Sequence, residues 1–191
     1  MRKVQRLSVI ALALLVTGLP GTAGAQASWL DADTPLANWN VVGAALPAAL
    51  PAREGAPTCQ GSRPAETSED DAVVAAGWTL YEGYQAGWGL RLVWALSNYD
   101  DTCRPLGYQA FVFADGMFAG TLAPSPMDYQ TDGSALTAQL VGGDVTATFA
   151  RYAPTDPSCC PSRPTILVEY RVLRGTSGPL LEPVARMDAP R

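Results

Sequence analysis

Thr165-Ile166-Leu167-Val168-Glu169-Tyr170-Arg171-Val172-Leu173 sets Ile166, Val168, Tyr170 and Val172 on one face of an extended chain and Glu169 and Arg171 on the other. Successive side chains of a strand point to opposite faces, so this period of two predicts an antiparallel strand with one face in the core and one in water. Towards the C-terminus, a turn at residues 175–178 leads into a last strand over 180–184. Towards the N-terminus, runs at 135–141 and 145–152 flank Gly142-Gly143-Asp144, and runs at 108–114 and 117–122 flank Asp115-Gly116. Asp-Gly between alternating apolar runs is a strong hairpin signal. Residues 90–96 form one more strand. Ahead of the strands, Ser68-Glu69-Asp70-Asp71 precedes Ala72-Val73-Val74-Ala75-Ala76 and Gly77, which predicts a short helix with an N-cap, an acidic first turn and a glycine stop. The expected domain, residues 68–185, is α+β and mostly antiparallel β: a curved meander of six to eight strands with one short helix near its start. Residues 186–191 are read as a C-terminal tail.

Residues 26–67 are rich in Pro and Ala and show no sustained period, which predicts an extended arm. Trp29, Leu30, Leu36 and Trp39 are too apolar for a free linker, so the arm is expected to pack on the domain. Residues 1–25 have the three zones of a secretory signal peptide: Arg2, Lys3 and Arg6, then an apolar run over 7–16, then the small residues Ala23, Gly24 and Ala25. A cut before Gln26 is expected. The apolar run is well short of the roughly 20 residues that span a bilayer, and no later segment is long and apolar enough to do so. A secreted or periplasmic location follows, with no stable membrane span.

Cleavage would take the net charge from −5 to about −8 with the loss of three basic residues, which disfavours a nucleic-acid partner. The chain has no histidine, and its one lysine, Lys3, lies in the signal segment. Such a chain lacks the usual general base near neutral pH, the Ser-His and Cys-His pairs, Schiff-base chemistry and the commonest zinc ligand. No nucleophile elbow, phosphate loop or dinucleotide fingerprint occurs. A monomer with no cofactor is expected. The four cysteines, Cys59, Cys103, Cys159 and Cys160, favour two disulfides in an exported protein. Bonding the adjacent Cys159 and Cys160 is disfavoured by ordinary disulfide geometry, so each is expected to pair with Cys59 or Cys103, in either combination. Loops of that length would contribute roughly 4 to 5 kcal/mol each.

Several runs resemble the LppP/LprE-type bacterial lipoprotein family: Trp39-Asn40, Ala76-Gly77-Trp78, residues 103–108 leading into Phe111-Val112-Phe113, Phe118-Ala119-Gly120-Thr121, Arg151-Tyr152, and above all Asp156-Pro157-Ser158-Cys159-Cys160-Pro161-Ser162. The resemblance covers most of the chain after the signal segment. It implies a fold-level relationship and an extracytoplasmic setting, and it transfers no catalytic residue. Members of that family are anchored through an N-terminal cysteine, which this sequence does not have near the expected cut.

Three functional routes remain. A carboxylate pair could hydrolyse glycosides without other titrating groups, with Glu82, Asp100, Asp101, Asp115 and Asp156 available. Asp128-x-Gln130-x-Asp132-Gly133 opens like a calcium loop, but Gln139 stands where a bidentate glutamate is needed. Trp78, Tyr81, Tyr84 and Trp88, set among glycines, are the candidate surface for a protein or glycan partner. The expected function is a non-enzymatic binding or structural role at the cell envelope or in the medium, with a carboxylate glycoside hydrolase and a weak calcium-binding module as alternatives.

Overall fold

The computed structural model describes residues 28–32, 36–57 and 59–189. The signal segment, residues 1–25, lies outside them. The fold is mostly antiparallel β with one α-helix, as the alternating pattern predicts. Eleven strands lie among the described residues, against an expected six to eight, because β1 (Thr79–Leu80), β2 (Gln85–Gly87), β4 (Asn98–Tyr99) and β5 (Pro105–Leu106) are too short to show a period. The longer strands are β3 (Leu90–Leu96), β6 (Gln109–Ala114), β7 (Met117–Thr121), β8 (Ala135–Val141), β9 (Asp144–Phe149), β10 (Ile166–Gly175) and β11 (Gly178–Asp188).

They form two principal sheets. In the first the order is β1-β3-β6-β7, with β2 sharing the β1 edge of β3; in the second it is β11-β10-β9-β8; β4 and β5 make a separate two-stranded ribbon. The β6–β7 hairpin turns at Asp115-Gly116, both with positive φ (51° and 80°), the backbone that a right-twisted two-residue turn requires. Ile166, Val168, Tyr170 and Val172 are buried, whereas Arg171 is exposed, so β10 has the one wet face its sequence predicts. By contrast β6 is buried at every residue and β3 at all but Arg91. The first sheet is covered on both faces, which explains why these two strands read as near-continuous apolar runs.

One core lies between the sheets and joins Leu92 and Trp94 of β3 to Phe149 of β9 and Tyr170 of β10. A second core, with Val73, Trp78, Val93 and Phe111, lies under the helix α1 (Ser68–Ala75) and the arm residues Leu46 and Ala49. Thr67 caps α1, one residue ahead of the expected cap. The buried Asp70 of its first turn accepts from Arg63 Nη1 at 2.8 Å and Nη2 at 2.6 Å and from the Glu66 N–H at 3.0 Å. Burial by itself would raise the Asp70 carboxyl, but these donors hold it below its ordinary value.

The arm is part of the fold. Leu30 and Leu36 are buried in the core between the sheets, and Trp29 packs edge-on against Phe149 at 4.9 Å. Further along, the Leu50 and Arg53 N–H groups donate to Ser97 Oγ and Asn98 Oδ1, which lays the arm beside the β4–β5 ribbon. That course decides the disulfides. Cys59 bonds to Cys103 in the ribbon turn, with Cα atoms 5.6 Å apart, and Cys159 bonds to Cys160. The expected cross-pairings are therefore corrected: the arm meets the ribbon before it could reach the 159–160 loop, leaving those two cysteines to each other.

Candidate functional site

Between the open ends of the two sheets lies a cleft of about 420 Å³, in the size range of small-ligand sites. Its floor is aromatic. Tyr81 leaves β1 with its N–H bonded to the Trp94 carbonyl, and its ring stands 6.2 Å from Trp94 and 6.1 Å from Tyr108, each edge-on. Tyr108 is fixed by paired backbone bonds with Met127 and by its hydroxyl, which donates to the Ala135 carbonyl at 2.9 Å. Tyr99 of β4 forms one wall, and the exposed Tyr129 and Leu136 form the opposite rim. The arm supplies a lip, Gln60-Gly61, held by the adjacent Cys59–Cys103 bond. A second recess shares Tyr129, Ala135 and Leu136 with the cleft and runs on to Cys159 and Pro161.

The chemistry of the cleft is neutral. Glu82 is the one ionisable acid among its lining residues, and no arginine lines it. Burial raises the Tyr81, Tyr99 and Tyr108 phenols above their ordinary value, so all three stay protonated at neutral pH. Tyr108 has its acceptor. Among the described residues, the Tyr81 and Tyr99 hydroxyls have none, and that of Tyr99 is fully buried. An unmade hydrogen bond at a buried polar atom costs about 1–3 kcal/mol.

The four aromatic residues expected to share a surface do not come together. Trp78 is only 2% exposed: its ring packs on Phe111 at 5.1 Å and its indole N–H donates to the Pro47 carbonyl at 2.8 Å. Tyr84 lies under the guanidinium groups of Arg63 and Arg91, at 5.4 and 4.7 Å. Trp88 is 62% exposed, at the β2–β3 turn. Only Tyr81 reaches the cleft. The other cleft residues come from five separate segments and carry no spacing signal; the nearest hint is the tyrosine that follows Arg104-Pro105-Leu106-Gly107.

The calcium-like run is likewise occupied from within. Asp128 accepts from the Gly107 N–H at 2.7 Å and Gln130 from Arg104 at 2.7 Å, while Asp132 takes both Arg151 Nε and the Tyr152 N–H. A cation would have to displace two guanidinium groups, and in the fold these three side chains act as acceptors that anchor the loop. No group of three or more potential metal ligands occurs among the described residues.

Of the five candidate carboxylates, Glu82 lines the cleft, and the other four are engaged by donors. Asp100 caps the ribbon turn, held well below its ordinary value by the Arg104 N–H and then by Thr102 and the Arg104 side chain. Asp156 is lowered by the N–H groups of Ser162 and Ala153, which shapes the loop carrying Cys159 and Cys160. Asp101 pairs with Arg53, and Asp115 with Arg174. With their pKa values lowered, Asp100 and Asp156 stay ionised, the reverse of what a general acid requires.

Most of the cleft, from Glu82 to Leu136, and the whole 156–162 loop fall within a single stretch of recognisable sequence. Residues 82–174 match the LppP/LprE lipoprotein family. The LppP/LprE match takes in Trp94, Tyr99, Tyr108 and Tyr129, while Tyr81 and the Gln60-Gly61 lip precede it, as do Trp39-Asn40 and Ala76-Gly77-Trp78. Comparison with curated proteins and with solved structures finds no match. No helix among the described residues is long and apolar enough to cross a membrane.

Proposed function

We propose that the protein is exported and acts outside the cytoplasm, at the cell envelope or in the medium, as a binding domain without catalytic activity. The observation that carries this reading is the tyrosine-lined cleft, concave, neutral and built mainly from the LppP/LprE segment. Export is supported by the signal-like residues 1–25, by the Cys59–Cys103 disulfide and by the family's lipoprotein character. The absence of histidine, and carboxylates tied to guanidinium and backbone donors, speak against acid–base catalysis.

The test titrates the purified exported protein with a small-molecule extract of the producing cell's envelope, following tryptophan fluorescence or the indole NMR signal of Trp94. Saturable binding is expected, and it should be lost in Leu136→Arg, which puts a charge on the rim of the cleft at an exposed position of β8, with circular dichroism checking that the variant is folded. Binding that Leu136→Arg leaves intact, or hydrolysis of an added glycan by the purified protein, would sink the reading.

A further inference from the structure

We infer that the cleft takes an uncharged, polyhydroxylated ring, a neutral saccharide. The inference rests on the cleft being a binding site and names what that site would recognise. Three features select this class. First, the floor is aromatic: Tyr81, Trp94 and Tyr108 line the cleft with ring centroids about 6 Å apart, an apolar base against which the C–H groups of a sugar can pack. Second, polar atoms capable of both donating and accepting are left over: the phenol hydroxyls of Tyr81 and Tyr99 have no partner among the described residues. A hydroxylated ligand satisfies them, whereas a purely apolar guest leaves them unpaired and forfeits the binding they offer. Third, the lining contains no cation and only one carboxylate, Glu82, so a phosphate or uronate would be desolvated without a counter-charge.

The Tyr99 hydroxyl is shut beneath the Gln60-Gly61 lip: a side-chain Cβ placed on Gly61 would lie 3.6 Å from it. Gly61 also has φ +126°, a backbone closed to ordinary side chains. The absence of a side chain there leaves room for a ligand hydroxyl to reach Tyr99 with a small movement of the lip. Tyr99 thus serves as the deep contact and Tyr81 as the nearer one.

The test titrates the exported full chain with neutral hexasaccharides of glucose, mannose and galactose, with hexagalacturonate, and with indole as an apolar ring of similar breadth. At least one neutral hexasaccharide is expected to bind, with hexagalacturonate at least tenfold weaker. Tyr81→Phe and Tyr99→Phe, which keep the ring and remove the hydroxyl, should each weaken that saccharide by about 10-fold and leave indole unchanged. Far-UV circular dichroism checks that both variants are folded, and Trp88→Ala, outside the cleft, should leave every affinity unchanged. If indole or the uronate binds in the cleft while every neutral saccharide fails, the saccharide inference falls and the binding reading stands. If a saccharide binds but is insensitive to both phenylalanine variants, the inference falls because the sugar lies elsewhere. If neither these probes nor the envelope extract bind, both readings fall together.

Discussion

Asn40 joins the two sheets with a single side chain. Its amide donates to the carbonyls of Thr121 in β7 and Leu181 in β11, both at 3.1 Å, and its carbonyl accepts the Thr121 N–H at 2.8 Å. The neighbouring Gly120 makes room for it: a Cβ there would collide with the Asn40 amide, and φ +150° disfavours any side chain as well. Gly120→Ala is therefore expected to cost about 2–4 kcal/mol in urea denaturation, from strain and displaced hydrogen bonds together. Asn40→Asp should destabilise more than Asn40→Ala, because a carboxylate cannot donate to Thr121 and Leu181 and brings a charge to a half-buried seam. The opposite case is Trp88, with φ 52° at a turn that prefers Asn or Gly and a ring mostly in water. Trp88→Asn should stabilise the fold by about 0.5–1 kcal/mol, since it relieves the turn and gives up little buried area. A fall in stability would mean that the ring makes contacts that matter to folding.

At the scale of elements, the sheets approach along two seams and do not close into a barrel. Asn40 bridges β7 and β11, and at the far side the Gln85 side chain of β2 bonds the β8 backbone, donating to the Ala138 carbonyl and accepting the Leu140 N–H. The strands themselves were legible in the sequence, because apolar alternation and the Asp115-Gly116 turn act over a few neighbouring residues. The division into two sheets was not, since the seams rest on single polar side chains that no local period marks. For the same reason the cleft was hidden: Tyr81, Tyr99, Tyr108 and Tyr129 converge only after β1, the ribbon, β6 and the 127–129 bridge are in place. The cysteine pairing was hidden as well, because it is set by the arm's path along the ribbon, which no local signal marks. The two bonds now have unequal expected roles. Cys59–Cys103 closes a 44-residue separation and should contribute about 4 kcal/mol on the chain-entropy model. Cys159–Cys160 closes no loop, so by the same model it adds almost nothing through the unfolded chain. Double serine replacement of the first pair should lower the denaturation midpoint strongly, and of the second only slightly. Equal losses would contradict this assignment of the bonds.

For the molecule as a whole, side-chain titration falls towards the two ends of the pH scale. With no histidine and its single lysine in the signal segment, the folded chain has no side chain of ordinary pKa between pH 5 and 8, and stability should be level across that range. On the acid side, Asp31 is lowered chiefly by its hydrogen bond from Arg151, and Asp70, Asp100 and Asp156 are lowered too. A carboxyl whose folded pKa is depressed stabilises the fold above its unfolded value near 3.8, and that contribution is lost as pH falls through the lower folded value. On the alkaline side, burial raises Tyr81, Tyr108 and Tyr170 above 10.0, so the folded state resists ionisation that the unfolded chain undergoes freely. Their effect is nil below the unfolded value of 10.0 and grows into a destabilisation as pH rises above it. The thermal midpoint should therefore trace a broad plateau, falling below about pH 4 and again above about pH 10. Asp31→Asn should flatten part of the acid limb and leave the alkaline limb unmoved, because Asp31 faces Arg151 and Arg163 at the outer end of the second sheet and touches none of the three tyrosines. A midpoint that changes steeply between pH 5 and 7 would require a side chain titrating there, which the sequence does not supply, and would overturn this account of its charges.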